Sequence, residues 1–99
     1  MSNKEIIKTD NALVRIMELA EGASTDWHYH TDVSDFFVCL NGVVTIETKN
    51  PVKEITLYPG QRTEIKPPQI HRVMNTYTDK SEYLLVQGVG AYDFNKVLQ

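Results

Sequence analysis

Three kinds of sequence feature are scarce in this chain of 99 residues: cysteine, clustered positive charge and long apolar runs. Cys39 is the only cysteine, which excludes an internal disulfide. No cluster of Lys or Arg exceeds two residues and the net charge is -3, which argues against nucleic acid or anionic membranes as partners. No apolar stretch follows the first residues, so we expect neither a signal peptide nor a membrane span, and we expect a cytoplasmic protein.

Glycine and proline are also few, at five and four residues, and most of them mark turns between short segments that have the character of strands. The pattern predicts nine strands, at residues 5–8, 11–19, 25–30, 35–40, 43–48, 53–58, 62–66, 71–77 and 82–88. Asn41-Gly42 predicts a type I′ hairpin between two of them. Many short, evenly spaced strands indicate an all-β sandwich or barrel.

Two segments allow another interpretation. Residues 11–20 contain helix formers, with Leu13, Met17 and Ala20 at helical spacing, so a helix is the alternative to a strand there. Residues 92–98 fit a strand or a turn of helix equally well.

The histidines are the most informative residues, because there are only three and two of them form a His-x-His pair. Side chains on a strand alternate between its faces, so His28 and His30 point to the same side. A later strand can bring in His71, and Asp35 stands near enough to add a carboxylate to a facial metal site. Imidazole suits Zn, Cu, Fe and Ni, and an added carboxylate extends the choice to Mn.

Around these residues the chain resembles the first sequence motif of the cupin family. The motif is matched in every spacing by Gly22, His28, His30, Asp35 and Gly42, which are separated by five, one, four and six residues. The family usually has Glu at the position of Asp35.

A second stretch resembles the second cupin motif. Gly60, His71 and Asn75 are separated by ten and three residues, as in the family. Lys66 and Pro68 stand where the family usually has Pro and Gly, so the turn before His71 departs from the family pattern.

The resemblance implies a fold and a set of metal ligands. Cupins are double-stranded β-helix barrels of the jelly-roll type, so residues 1–99 are expected to form one cupin domain, with the first motif at 22–42 and the second at 60–75. By position, the implied metal ligands are His28, His30, Asp35 and His71. The implied cofactor is a divalent transition metal, namely Fe, Mn, Ni or Zn. Because Asp is one methylene shorter than Glu, Asp35 would bind the metal either directly or through water.

Side chains that share the inward face with these ligands are candidates for the wall of a ligand cavity. They are Phe37, Cys39, Tyr83 and Gln87. For Cys39 the simpler interpretation is a small buried side chain. Arg62 and Arg72 are candidate anchors for an acidic ligand, although Arg72 adjoins His71 and is expected to point out of the barrel.

The outer surface of the predicted barrel is apolar in places. Phe36, Val38 and Leu40 lie on the face of their strand opposite Asp35, and apolar residues on both faces of a strand indicate that both are covered. Trp27 and Tyr29 also point outward. We therefore expect a second subunit in a two-fold homodimer.

Three classes of function stay open. Three histidines and one carboxylate leave open positions on an octahedral metal, which allows oxidation or Lewis-acid chemistry. Among the reactions that the resemblance implies, we favour dioxygenase-type oxidation of a small organic molecule, because it needs no separate strong base. A metal-dependent isomerase or lyase is an alternative, whereas a metal-free epimerase needs a free histidine base and all three histidines are assigned to the metal. The other alternative is a non-catalytic module that binds a small ligand or stores a metal.

Overall fold

The computed structural model describes residues 2–88 and 90–98, and within them every regular element is a strand. The ten strands are β1 (Ser2–Lys8), β2 (Ala12–Leu19), β3 (His28–Tyr29), β4 (Ser34–Asn41), β5 (Val44–Lys49), β6 (Lys53–Leu57), β7 (Arg62–Ile65), β8 (Ile70–Asn75), β9 (Ser81–Gly88) and β10 (Asn95–Lys96). Each predicted strand has a counterpart, and the alternative helix at 11–20 is wrong because β2 occupies that segment. The segment 92–98 contains the short strand β10. Within the same described residues, no helix is long and apolar enough to cross a membrane.

The strands form two five-stranded antiparallel sheets with the core between them. The first sheet has the order β1-β2-β9-β4-β7 and the second the order β10-β3-β8-β5-β6. The first sheet contributes Met17, Leu19, Phe37, Cys39, Tyr83, Leu85 and Ile65 to the core, and the second contributes Val44, Ile46, Leu57 and Val73. The predicted all-β, double-stranded β-helix fold is confirmed.

The hairpin predicted at Asn41-Gly42 is wrong, because β4 and β5 belong to different sheets. Gly42 has a φ of 77°, which glycine adopts without strain, but a type I′ turn also needs a positive φ at Asn41, which does not have one. A Cβ at Gly42 would overlap the side chain of Ser81 at the start of β9. The turn therefore carries the chain from one sheet to the other.

Asn75, the last residue of the second motif, has a structural role. Its Nδ2 donates to the carbonyls of Leu19 and Asp79, at 2.9 and 2.7 Å, and its Oδ1 accepts from the backbone N–H of Tyr77 at 2.8 Å. These bonds hold the turn between β8 and β9, so Asn75 lies outside the histidine cluster.

The outer surface of the first sheet carries two rows of apolar side chains, which we call the outer apolar face. The rows are Ile7, Val14, Val86 and Phe36 in one, and Ile16, Leu84 and Val38 in the other. Phe36 is 42% exposed, and Leu40, farther along the same strand, is 38% exposed. On β7 the two rows end at Glu64 and Arg62.

Candidate metal centre

Four buried side chains converge between the two sheets: His28, His30, Asp35 and His71. His28 of β3 lies directly opposite His71 of β8, and His30, two residues further, returns to the same side of the chain. Asp35 comes from β4 in the other sheet. One donor atom of each side chain lies within 4.8 Å of the others, so the cluster joins the two sheets around one point.

Each of the three imidazole rings has its Nδ1 atom fixed by a main-chain carbonyl. The carbonyls are those of Asp26 for His28 at 2.6 Å, Asp93 for His30 at 2.5 Å and Gln69 for His71 at 2.8 Å. A carbonyl only accepts hydrogen bonds, so Nδ1 carries a proton in every ring. This arrangement orients the ring and makes Nε2 the atom that a metal would use, as metal-binding histidines usually require.

Asp35 is held by three hydrogen bonds. Its Oδ2 accepts from Nε2 of His30 at 3.0 Å and from Nε2 of His71 at 2.8 Å, and its Oδ1 accepts from Nε2 of Gln87 at 2.9 Å. Burial alone would raise the pKa of Asp35, but the hydrogen bonds from the two histidines outweigh it and hold the pKa well below its usual range. Asp35 is therefore an ionised carboxylate with Oδ2 turned toward the histidines.

The histidines differ in their affinity for a proton. Burial, reinforced by the neighbouring rings of His71 and His30, lowers the pKa of His28 to about 4, so this ring is neutral at neutral pH. Burial also opposes the charged form of His30, but its hydrogen bond to Asp35 prevails and raises the pKa of His30.

The donor set fits a divalent transition metal. Imidazole nitrogens and a carboxylate oxygen bind such ions at about 2.0–2.2 Å, so neighbouring donors on one ion lie about 3 Å apart. Oδ2 of Asp35 has this spacing to Nε2 of His30 and to Nε2 of His71, at 3.0 and 2.8 Å. A bound ion would replace the hydrogen bonds that Nε2 of His30 and Nε2 of His71 form with Oδ2 of Asp35 in the metal-free protein. The cluster could hold Fe, Mn, Ni or Zn with these four side chains.

The turn before His71 reaches the site although it departs from the family pattern. The backbone N–H of Gln69 donates to the carbonyl of Lys66 at 3.1 Å, which closes the turn. The carbonyl of the same Gln69 then accepts from Nδ1 of His71. Lys66 and Pro68 are thus compatible with the position of His71.

A cavity of about 260 Å³ adjoins the cluster. His28, His30 and Asp35 lie on its wall, together with the predicted lining residues Phe37, Tyr83 and Gln87. Cys39 does not reach it. Cys39 is completely buried in the core with its Sγ 3.5 Å from the carbonyl of Gly42, so it takes its simpler interpretation as a small buried side chain.

Arg15 is a cavity residue that the sequence reasoning missed. It lies on β2 and lines the cavity, and its Nη2 donates to Oε1 of Gln87 at 2.7 Å. The available signal was its place in the strand, because Arg15 shares a face with Met17 and Leu19, both buried. A charged residue on the inward face of a strand indicates a polar interior.

Two aromatic side chains of the C-terminal segment were also missed. The ring of Phe94 stacks on His28 with centroids 4.4 Å apart, and the ring of Tyr92 lies 5.5 Å from that of His30. Both line the cavity while remaining nearly half exposed, so they form its outer edge. Their position depends on the pairing of β10 with β3, which no local pattern in the sequence signals.

The arginines considered from sequence lie elsewhere. Nε of Arg72 donates to Glu47 at 2.7 Å, and its guanidinium lies 4.6 Å from the ring centre of Trp27 on the outer surface. Arg62 is exposed on β7 at the edge of the outer apolar face. Neither lines the cavity beside the histidines.

Comparison with solved structures identifies relatives of this fold. An uncharacterized conserved protein with a double-stranded beta-helix domain from Klebsiella pneumoniae has a TM-score of 0.84 and 20% identity, over 96% of this chain and 77% of that one. An oxalate oxidase in complex with the substrate analogue glycolate has a TM-score of 0.83 and 12% identity, over 97% of this chain and 54% of its own. A sugar phosphate isomerase from a cupin superfamily, from Silicibacter pomeroyi, has a TM-score of 0.71 and 17% identity, over 87% of this chain and 68% of that one.

At these identities the likeness concerns the fold, and this chain spans only about half of the oxalate oxidase. No curated protein matches the sequence. The family described as "Cupin domain" matches residues 15–87, which include every residue of both motifs. The resemblance found in the spacing of the two motifs is thus confirmed, and the chain belongs to the cupin family.

Proposed function

We propose that this chain is a metal-dependent cupin that acts on a small organic molecule. One divalent transition metal is bound by Nε2 of His28, His30 and His71 and by Oδ2 of Asp35. The observation that carries the proposal is the hydrogen bonding of the rings, because every Nδ1 is held by a carbonyl and each Nε2 is directed into the cluster, where, among the described residues, those of His30 and His71 form hydrogen bonds only with Asp35. Oδ2 lies within 3.0 Å of two of these Nε2 atoms, which supports direct binding by Asp35 over binding through water.

Dioxygenase-type oxidation is the reaction that we favour. A bound Fe or Mn would supply redox chemistry and open coordination positions for oxygen and the organic molecule. The chain itself binds and orients that molecule, with Phe37 and Phe94 as apolar walls that limit access of water. Burial, together with the charge of Asp35, raises the pKa of Tyr83 far above its usual range, so its phenol stays protonated.

An isomerase or lyase is a second candidate, since a sugar phosphate isomerase shares the fold. Such reactions move a proton and need a base near the substrate. The three histidines and Asp35 are committed to the metal, and Tyr83 is protonated. Asp26 lies at the cavity but is exposed and paired with Lys96 at 3.6 Å. The described residues therefore favour a reaction that requires no base from the protein.

A non-catalytic module is the third candidate. His28, His30 and Asp35 line the cavity, so a metal there would be accessible to a ligand and would differ from a structural metal enclosed by protein. A module that only binds a ligand would have the same geometry, and catalysis has to be measured directly.

Metal analysis of protein purified without a chelating tag tests the site. We expect about one transition metal per chain, with occupancy lost in His28→Ala and His71→Ala. Tyr29→Phe is the matched control, because Tyr29 stands between two of the ligands and points to the other side. Full occupancy in both histidine variants would refute the assignment.

Oxygen uptake tests the reaction. Protein loaded with Fe or Mn should consume oxygen only when a suitable small organic molecule is added, and His28→Ala should not. A fully loaded protein that consumes no oxygen with any compound would favour the non-catalytic module. Conversion of a compound without oxygen uptake would favour the isomerase or lyase.

A further inference from the structure

The cavity contains one charged group that the proposed metal chemistry does not use, the guanidinium of Arg15. Nη2 of Arg15 donates to Gln87, but its Nε is buried and has no hydrogen-bond partner among the described residues. Buried polar atoms are nearly always paired, and an unpaired donor on a charged group is especially unfavourable. The described part of the chain thus leaves a donor of the Arg15 guanidinium unpaired, although Arg15 lines the cavity, which makes Arg15 a candidate to bind an acceptor group of a ligand.

The chain does not neutralise Arg15 by direct contact. Glu5 stands opposite Arg15 in the register of β1 and β2, yet the two side chains form no ion pair in the described part of the chain. Asp35 is separated from Arg15 by the amide of Gln87, which accepts from Arg15 and donates to Oδ1 of Asp35. Arg15 is thus held in place by Gln87 while its charge is left for another partner.

The charge of the loaded site also favours an anion. A divalent metal and the guanidinium of Arg15 would carry more positive charge than the single buried carboxylate of Asp35 can neutralise. The three imidazoles add no charge, since they are neutral when they bind a metal. Asp26 at the cavity is offset by Lys96. The cavity is therefore net positive once the metal is bound, and a low-dielectric wall strengthens its attraction for an anion.

The size and walls of the cavity limit what this anion can be. Its volume of about 260 Å³ is below the range of about 300–1,000 Å³ that is typical of pockets for drug-sized ligands. Apart from the groups discussed above, the walls are mainly apolar or aromatic and include Met17, Phe37, Val73, Leu85 and Phe94. Apart from the histidines, Arg15 is the only basic side chain on the described wall. A small molecule with one carboxylate and an apolar body matches these properties.

We propose that the ligand of this cavity is a small organic carboxylate, and that Arg15 is the specificity-determining residue that binds its carboxylate group. The proposal rests on the proposed metal site, because the bound metal adds to the positive charge that attracts the anion. The guanidinium is a planar fork that matches a carboxylate, and Gln87 holds it in orientation. Arg15 selects the substrate and takes no part in the chemical step.

Calorimetry with three carboxylates and their neutral amides tests this role. The pairs are acetate and acetamide, isobutyrate and isobutyramide, and benzoate and benzamide. At least one carboxylate should bind the metal-loaded protein about tenfold more tightly than its amide, since hydrogen bonds to charged groups are stronger than neutral ones. Arg15→Gln should weaken this preference strongly, leaving the part that the metal supplies, and Arg15→Lys should keep more of it because the charge is retained. Arg62→Gln, an exposed arginine outside the cavity, should bind like the wild type.

Metal content measured on the same samples separates the two proposals. Arg15→Gln should keep the full metal content, which also shows that the variant is folded, while losing most of the carboxylate preference. If metal is absent from the wild type, the proposed function fails, and the preference measured on metal-free protein still reports on Arg15. If no carboxylate binds more tightly than its amide, or if Arg15→Gln keeps the whole preference, the carboxylate proposal is overturned whatever the metal content.

Discussion

A chain of hydrogen bonds runs from Arg15 through Gln87 to Asp35, with each group donating to the next. Asp35→Asn tests whether metal binding depends on this order of donors and acceptors. Arg15 donates to Oε1 of Gln87, and Nε2 of Gln87 donates to Oδ1 of Asp35. An ionised carboxylate accepts on both of its oxygens, so Asp35 accepts from Gln87 on one side and is free to bind a metal on the other. The amide introduced by Asp35→Asn has one accepting oxygen and one donating nitrogen, and it satisfies only one of the two sides.

The cost follows from this conflict. If the new amide turns its oxygen to the metal, its NH2 group faces the NH2 group of Gln87, and turning Gln87 moves the conflict to Arg15. An unsatisfied buried donor costs about 1–3 kcal/mol, and since about 1.4 kcal/mol is tenfold, the conflict alone weakens metal binding by about fivefold to a hundredfold. Loss of the negative charge beside the cation adds to this. We expect a loss of about a hundredfold in metal affinity.

Competition with a chelating dye measures the affinity, and a second substitution checks the cause. Gln87→Glu, added to Asp35→Asn, supplies a carboxylate that accepts from both Arg15 and the new amide, which restores the direction of the bonds. The double variant should bind metal about tenfold more tightly than Asp35→Asn alone. Asp79→Asn, at an exposed position, is the control and should bind like the wild type. An unchanged affinity in Asp35→Asn, or no recovery in the double variant, would refute the reasoning.

Three other properties can be predicted from the structure. In the metal-free protein, the pKa of His28 is lowered to about 4, so the free energy of unfolding decreases as pH falls below 6.5, where only the unfolded chain takes up the proton. The pKa of His30 is raised, so the free energy of unfolding decreases as pH rises above 6.5. The temperature of thermal unfolding should therefore be highest near pH 6.5, and an unfolding temperature that increases steadily toward alkaline pH would contradict this. Phe94→Ala removes the ring stacked on His28 and should speed extraction of the metal by a chelator, which stopped-flow mixing can follow; an unchanged rate would show that the ring does not shield the site. We also propose a two-fold homodimer through the outer apolar face, so sedimentation at micromolar concentration should give twice the chain mass and Phe36→Glu should give monomers, whereas a monomeric wild type would exclude the dimer.

The residues that could be predicted are those whose positions follow from local spacing. A period of two places His28 and His30 on one side of a strand, and the same period places Tyr83 and Gln87 together on one face of β9, which the structure shows to be the buried one. The resemblance of the motifs then supplied His71 and Asp35, and the structure brings both to the same point. That these four side chains bind a metal stays a prediction.

The features that were missed or wrong depend on contacts between distant parts of the chain. Arg15 acquires its role from Gln87, which is 72 positions away in the sequence. Asn41-Gly42 carries a strong local hairpin signal, but the strands that follow it pair elsewhere and Ser81 occupies the space beside Gly42. Local turn preferences describe the bend of the chain and leave the choice of partner strands to the packing of the whole barrel.

The contact between His30 and the carbonyl of Asp93 makes the C-terminal segment part of the metal site. The side chain of Asp93 also accepts from the N–H of Thr31 at 2.9 Å, and the N–H of Val97 donates to the carbonyl of Trp27 at 2.8 Å. Order in this segment and occupancy of the metal site are therefore thermodynamically linked, and each must favour the other by the same factor. Metal binding should therefore slow hydrogen exchange at the amide of Val97, which is not a ligand, so this amide can be used to monitor occupancy of the metal site. Conversely, any fusion or truncation that loosens this segment weakens the metal site without touching a ligand.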